Sequence, residues 1–229
     1  MKRRFAAIFT LMLTFGVIVL GSQSAMASDD IQNAGNDSVV YMTTDISPEG
    51  LMAVYKALDW TPEGNVAVKL STGEPPASNY LQPELIADVV TAVNGTIVEC
   101  NTAYGGSRAE TAMHYQVAED HGFTDIADFQ ILDENGSMSL PVTGGTHLAE
   151  NYVGAAFDDY DSYLILSHFK GHAMAGFGGA IKNISIGLGS SEGKSWIHSG
   201  GKSKVALGVE LKMIFLNQWQ RQENLYQII

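Results

Sequence analysis

Cysteine, positive charge and long apolar runs are what this chain of 229 residues has least of, and each scarcity removes a class of function. Cys100 is the only cysteine. The chain therefore forms no internal disulfide, and it cannot hold an iron–sulfur cluster on thiolates of its own. Lysine and arginine number 13 against 25 aspartates and glutamates, a formal net charge of −12. A field of that sign repels nucleic acid and anionic membrane surfaces, so neither is expected as a partner. Beyond the N-terminal segment no apolar stretch approaches the length that crosses a bilayer. The apolar fraction of 45% is that of an ordinary globular protein, enough for one well-buried domain.

The N-terminal segment is the exception. Lys2, Arg3 and Arg4 form a basic start, Phe5 to Leu20 is almost entirely apolar, and Ala25-Met26-Ala27 offers small residues at a cleavage position. This pattern predicts a secretory signal peptide over residues 1–27, hence an exported protein, periplasmic or extracellular, with no membrane attachment after cleavage. Its loss removes three positive charges and no negative ones, taking the formal net charge from −12 to −15.

In the remainder, short apolar runs alternate with amphipathic stretches. Residues 28–38 are polar and read as a flexible leader. Val39 to Thr43 predicts a strand. Ser47-Pro48-Glu49 predicts a helix start, with serine as cap and proline in the first turn, running to about Leu58. Asn65 to Leu70 predicts a second strand. Pro83 opens a helix whose Leu85, Ile86, Val89, Val90 and Val93 share a face, and Asn94-Gly95 ends it. Thr96 to Glu99 reads as a strand, Arg108 to His121 as a helix stopped by Gly122, and Tyr163 to Ser167 as a buried strand. Residues 129–143 suggest a hairpin or an edge strand. Alternation of this kind predicts an α/β fold: a mostly parallel sheet with crossover helices over residues 39–203.

The chemistry concentrates between Leu164 and His198, where an apolar run opens into seven glycines, three lysines and three histidines. Ligands of open α/β sheets bind beyond the carboxyl ends of the strands. Lys69, Glu99, Cys100, His168 and Lys170 all fall at such ends. Of the ten lysines and arginines after residue 27, five (Lys69, Arg108, Lys170, Lys182 and Lys194) stand in or beside glycine-bearing segments. An anionic small molecule is the expected guest. Arg108 is expected in the first turn of its helix, where a cation opposes the helix dipole and so needs another purpose. His168, Lys170 and Cys100 are the catalytic candidates, with Cys100 as nucleophile and His168 as base. His168 and His172 are four residues apart and would make metal ligands on a helix, completed by Glu99, Cys100, His114 or His198; the glycine between them argues against that helix. Gly176, Gly178 and Gly179 match neither the dinucleotide nor the phosphate-loop spacing.

Three long segments carry a resemblance: KLSTGEPPASNYLQPELI, ECNTAYGGSRAETAMHYQVAEDHGF and LSHFKGHAMAGFGGAIKNISIG. Together they resemble the family known as domain of unknown function 362. The resemblance implies Asn101, Tyr104, Gly106, Arg108, His114, His168, Lys170, His172, Gly176, Gly178, Lys182 and Asn183 as signature positions without assigned roles. With Lys69 and Lys194 added, Asn101, Tyr104, Arg108, His168, Lys170, His172, Lys182 and Asn183 make up the expected ligand-binding set. It also implies an iron–sulfur or ferredoxin association. With one cysteine this chain is expected to carry no 4Fe-4S cluster, which would belong to relatives or to a ferredoxin-like redox partner. A noncatalytic binding module and a metal-dependent enzyme using His168 and His172 are the alternatives.

Residues 204–229 break with the alternating pattern. Read one frame over, Lys212 to Ile229 accommodates an amphipathic helix, so this tail is expected to be a frameshift product that truncates the sheet at its C-terminal end. The first expectation open to measurement concerns the other terminus. Intact-mass analysis of the protein from its native envelope should find Ser28 as the first residue, and retention of Phe5 to Leu20 would make this an anchored protein instead.

Overall fold

The computed structural model describes residues 39–76, 79–172 and 175–205. Two compact units divide the chain, residues 1–40 and 41–229, and of the first only Val39 and Val40 are described. The expected signal peptide, the leader and residues 206–229 of the tail lie outside the described residues.

Local sequence sets the elements of the second unit. Helix α1 (Pro48–Ala57) begins where Ser47 Oγ accepts from the Gly50 amide at 3.1 Å, with proline in the first turn. Strand β1 (Val66–Lys69) leads to α2 (Pro83–Ala92). That helix ends as its Asn-Gly pair requires. Asn94 takes a positive φ of 47°, its amide reaches Thr91 O at 3.0 Å and the Gly95 amide reaches Val90 O at 3.2 Å, which satisfies two carbonyls the helix end would otherwise orphan. Then follow β2 (Thr96–Glu99), α3 (Thr111–Asp120) and β3 (Phe129–Ile131). Strands β4 (Ser137–Pro141) and β5 (Glu150–Gly154) pair antiparallel, β6 (Ser162–Ile165) returns to the main sheet, and β7 (Lys170–His172) with β8 (Gly176–Gly178) forms a small hairpin. Helices α4 (Ala180–Ser185) and α5 (Ser191–His198) close the described chain.

The main sheet is parallel throughout, in the order β3-β2-β1-β6, so the α/β expectation holds. Its two faces are covered by different elements. Val66, Val68, Ile97 and Leu164 point to one face and meet Leu51, Tyr55, Ile86 and Val90 of α1 and α2. Ala67, Val98, Tyr163 and Ile165 point to the other and meet Ile184 of α4, Leu188 and Phe157. The strict alternation along each strand places the Lys69 side chain on the second face, with α4.

Three sequence expectations change. Val39 to Thr43 forms no strand: Val40 and Met42 are 85% and 87% exposed, and without a neighbouring strand an apolar run has no ladder to join. Of the two readings of residues 129–143 the edge strand holds, as β3 at the parallel edge of the main sheet, and the hairpin does not, because β4 pairs with β5. Arg108 precedes α3 by three residues and lies in the loop rather than in the first turn.

Helix α5 tests how closely the layers fit. A Cβ at Gly193 would lie 1.8 Å from the Tyr152 carbonyl oxygen on β5, inside any real contact. Helix propensity alone favours Gly→Ala by about 1 kcal/mol. The clash reverses that sign here, so Gly193→Ala should lower the thermal midpoint; an unchanged or raised midpoint would show that α5 does not sit this close.

Candidate functional site at the carboxyl edge of the sheet

The chain runs from β1 outward to β2 and β3, then crosses back so that β6 lies on the other side of β1. The carboxyl ends of β1 and β6 therefore bound the notch where such sheets bind ligands. The Asn183 side chain fills it. Its Nδ2 donates to Lys69 O at 3.2 Å, Leu166 O at 3.0 Å and Ser167 Oγ at 3.0 Å, and its Oδ1 accepts from Lys69 Nζ at 2.8 Å. Lys69 is fully buried, with its second acceptor at Leu70 O. Desolvation brings its amine down to about 8, against the pull of the Glu99 charge. Two acceptors suit the two hydrogens of a neutral amine as well as they suit an ammonium.

Glu99, ending β2, gathers four donors. Arg108 Nη1 reaches Oε1 at 3.0 Å, while the Thr72 amide, the Thr72 hydroxyl and His114 Nε2 reach Oε2 at 2.9, 2.8 and 3.2 Å. Burial opposes the charge, but the Arg108 guanidinium and the His114 hydrogen bond hold this carboxyl well below the usual range. Arg108 also binds Glu74 through Nε at 2.9 Å and meets Ser71 Oγ and Tyr104 OH, each at 3.2 Å. In the loop its charge faces two carboxylates instead of opposing a helix dipole. His114 Nδ1 faces Asn101 Oδ1 at 3.1 Å, and Asn101 Nδ2 donates to Thr111 Oγ1 at 2.9 Å, which fixes the amide against the ring.

Lys194 is likewise occupied within the protein. From α5 its Nζ donates to Asn101 O at 2.7 Å, Gly189 O at 2.7 Å and Cys100 O at 3.4 Å, tying the end of β2 to the turn before α5. Cys100 is 1% exposed and its Sγ meets Leu188 O at 3.4 Å. Burial pushes the thiol up to about 12, which is the environment of an inert packing cysteine and gives the nucleophile no support.

Two cations are left without such partners. Lys170 is exposed on β7. Lys182, in the first turn of α4, is half-buried; desolvation and then the like charges of Lys170, Arg108 and Lys194 lower its pKa. Among the described residues its ammonium has no carboxylate and no hydrogen-bond acceptor. His172, half-buried on β7, is lowered by burial and by Lys182 and Lys170, so it stands in the same positive neighbourhood. His168 is exposed in the strand-to-hairpin loop, not on a helix. Among the described residues no three His, Cys, Asp or Glu side chains group as a metal would need, so His168 and His172 lack the further donors that the metal alternative requires. A cavity of about 780 Å³ opens at the opposite, amino edge. It is lined by Asp125, Asp128 and Asp159, which suit no anion.

The sheet and its polar carboxyl edge define an open parallel α/β protein whose candidate site lies beyond the strand ends. Within that class the chain belongs to the family described as Domain of unknown function (DUF362), whose profile matches residues 66–226. The match runs through most of the tail, and Lys204, at the start of that tail, lies 3.6 Å over the Tyr152 ring. Comparison with curated proteins and with solved structures gives no match.

Sequence reasoning missed the partners of these groups. Thr72 and Glu74 stand in the loop after β1, and Asp133, whose Oδ1 and Oδ2 take the amides of Asn101 and Ser191 at 2.8 Å each, reads as a turn residue in the sequence. Breaking a buried charge pair by removing one partner costs about 3–5 kcal/mol. Glu99→Gln should destabilise by roughly that amount in urea. The depressed Glu99 carboxyl contributes stability fully present above its unfolded value of about 4.3 and lost as pH falls through its lower folded value. Urea midpoints measured downward from pH 6 should therefore decline below about pH 5 in the parent and less steeply in Glu99→Gln; parallel curves would remove Glu99 from the acid response.

Proposed function

We propose that this chain binds a small anion at the carboxyl edge of the sheet, at the mouth of the β1–β6 notch. Lys182 is the principal cation, with Lys170 and His172 beside it. One observation carries this: a half-buried ammonium surrounded by other cations and lacking any acid among the described residues. Burying a charge against like charges is unfavourable unless something of opposite sign completes it. Asn183, the next residue, is locked into the notch and holds α4 in place, so the cation beside it is presented by a fixed helix.

Lys69, Arg108 and Lys194 support the site from within. Their donors are committed to Glu99, Glu74, Asn183 and backbone carbonyls, so they shape the edge without touching the guest, and Arg108 and Lys194 add positive potential at Lys182. Catalysis by Cys100 finds no support in its burial, so a binding role, catalytic only if His172 or His168 exchanges protons with the guest, fits these side chains best. We further propose that the protein is exported, on the strength of the N-terminal pattern, and that any iron–sulfur chemistry belongs to a ferredoxin-like partner, since the chain has a single cysteine.

Inorganic phosphate titrated calorimetrically into the full chain tests the site. A charge-assisted hydrogen bond is worth about 1.5–3 kcal/mol, and 1.4 kcal/mol is a factor of ten. Lys182→Met should weaken phosphate binding at least about tenfold, with the thermal midpoint held or raised because an unpaired charge is gone. Lys56→Met, on the exposed face of α1, should change nothing. Equal affinity in parent and Lys182→Met would end the assignment.

A further inference from the structure

We infer that Lys182 is a nucleophile as well as a cation, and that the guest is a small carbonyl compound bearing an acid group, which Lys182 binds covalently as an imine; this rests on the anion-binding proposal above. Side chains of a strand alternate between faces, and directly paired residues of an antiparallel ladder share one. Lys170 pairs with Gly178 and His172 with Gly176, so Lys170 and His172 stand on the face that these two glycines leave bare. A Cβ at Gly178 would lie 3.3 Å from Lys182 Cδ, which brings the Lys182 stem across the same face. Two amines and an imidazole thus share one side of a glycine-floored hairpin. Phe177, paired with Gly171, and Phe169, which a Cβ at Gly179 would meet, take the other.

Surroundings separate Lys182 from an ordinary surface lysine. Among the described residues no carboxylate or other acceptor holds its Nζ as an ammonium, and burial with the charges of Lys170, Arg108 and Lys194 lowers its pKa. An amine under that pressure is relieved by a bound anion or by losing its proton, and the neutral form has the lone pair that attacks carbonyls. Lys170, exposed on the same face, meets the acid group. His172 carries the proton. The Ala175 amide donates to its Nδ1 at 3.1 Å, which puts the ring proton of the neutral imidazole on Nε2. In the reaction the Nζ lone pair forms the C–N bond while the carbonyl π pair moves to oxygen, which takes up one amine proton. That oxygen then leaves as water with the second amine proton as the C=N bond forms. No oxidant or reductant takes part.

Sodium cyanoborohydride reduces an imine to a stable secondary amine and so records where one forms. The full chain at about pH 8, where a lysine of lowered pKa is partly neutral, is treated with the reagent and either pyruvate or dihydroxyacetone phosphate, then digested for peptide mass mapping. One or both compounds should label Lys182 at least about tenfold more than the exposed Lys56 and Lys202, and the better of the two identifies the acid group as carboxylate or phosphate. Acetone, which lacks an acid group, should label Lys182 no more than it labels those two. Lys182→Arg keeps a positive charge and removes the nucleophile, so the label should disappear. A label spread evenly over the lysines, one that acetone gives equally well, or one that moves undiminished to Lys170 in Lys182→Arg would overturn the inference. Absence of label with both compounds would overturn it too. Calorimetry with inorganic phosphate then tells the two readings apart: phosphate bound without any label leaves the anion site and removes the imine, and neither bound nor labelled removes both.

Discussion

A carboxylate buried where two strands and a helix meet is the constraint on which this edge depends. Glu99 is 5% exposed and remains charged only because four donors from three separate segments converge on it. Each donor brings its own segment: the loop after β1 through Thr72, the loop before α3 through Arg108, and α3 through His114. Withdrawing the carboxylate would take from a guanidinium its deepest partner and from three other buried donors their shared acceptor, which costs more than the net worth of any one contact. The loops beyond the strand ends are therefore held to the sheet by charge as well as by apolar packing.

Five cations that look alike in sequence divide into two kinds by what surrounds them. Lys69, Arg108 and Lys194 are interior and their donors are occupied by protein oxygens. Lys182 and Lys170 lie toward solvent, and of the interior three Arg108 and Lys194 contribute potential to Lys182 rather than contacts. Asn183 joins the two kinds, because its amide is spent on β1 and β6 while its neighbour faces outward.

Much of the framework was legible in the sequence. Apolar periodicity located four of the five helices and strands assigned between Ser47 and His121 to within a few residues, and Asn94-Gly95 marked its helix end because few side chains accept positive φ. Val39 to Thr43 misled because an apolar run specifies a strand only when a neighbour exists to pair with it. Arg108 misled because helical periodicity does not say where the first turn begins, and the loop before α3 is long enough to carry the side chain back to Glu74 and Glu99. Clustering of cations near strand ends was visible, but their sorting was not. Whether a lysine is consumed or offered depends on acceptors such as Asn183 Oδ1 or the Gly189 carbonyl, which lie far off in sequence or on the backbone.

The exposed cations at this edge sit on a chain of net charge −12. A small anion approaching from a distance meets repulsion from the molecule as a whole, and attraction prevails only in the last stretch, within about a Debye length of 8–10 Å at ordinary ionic strength. Salt then has opposite effects on arrival and on retention. It screens the far field that turns anions away, and it weakens the near contact that holds them. Such an edge admits anions slowly and sparingly, and it favours a guest that brings something besides charge to stay with.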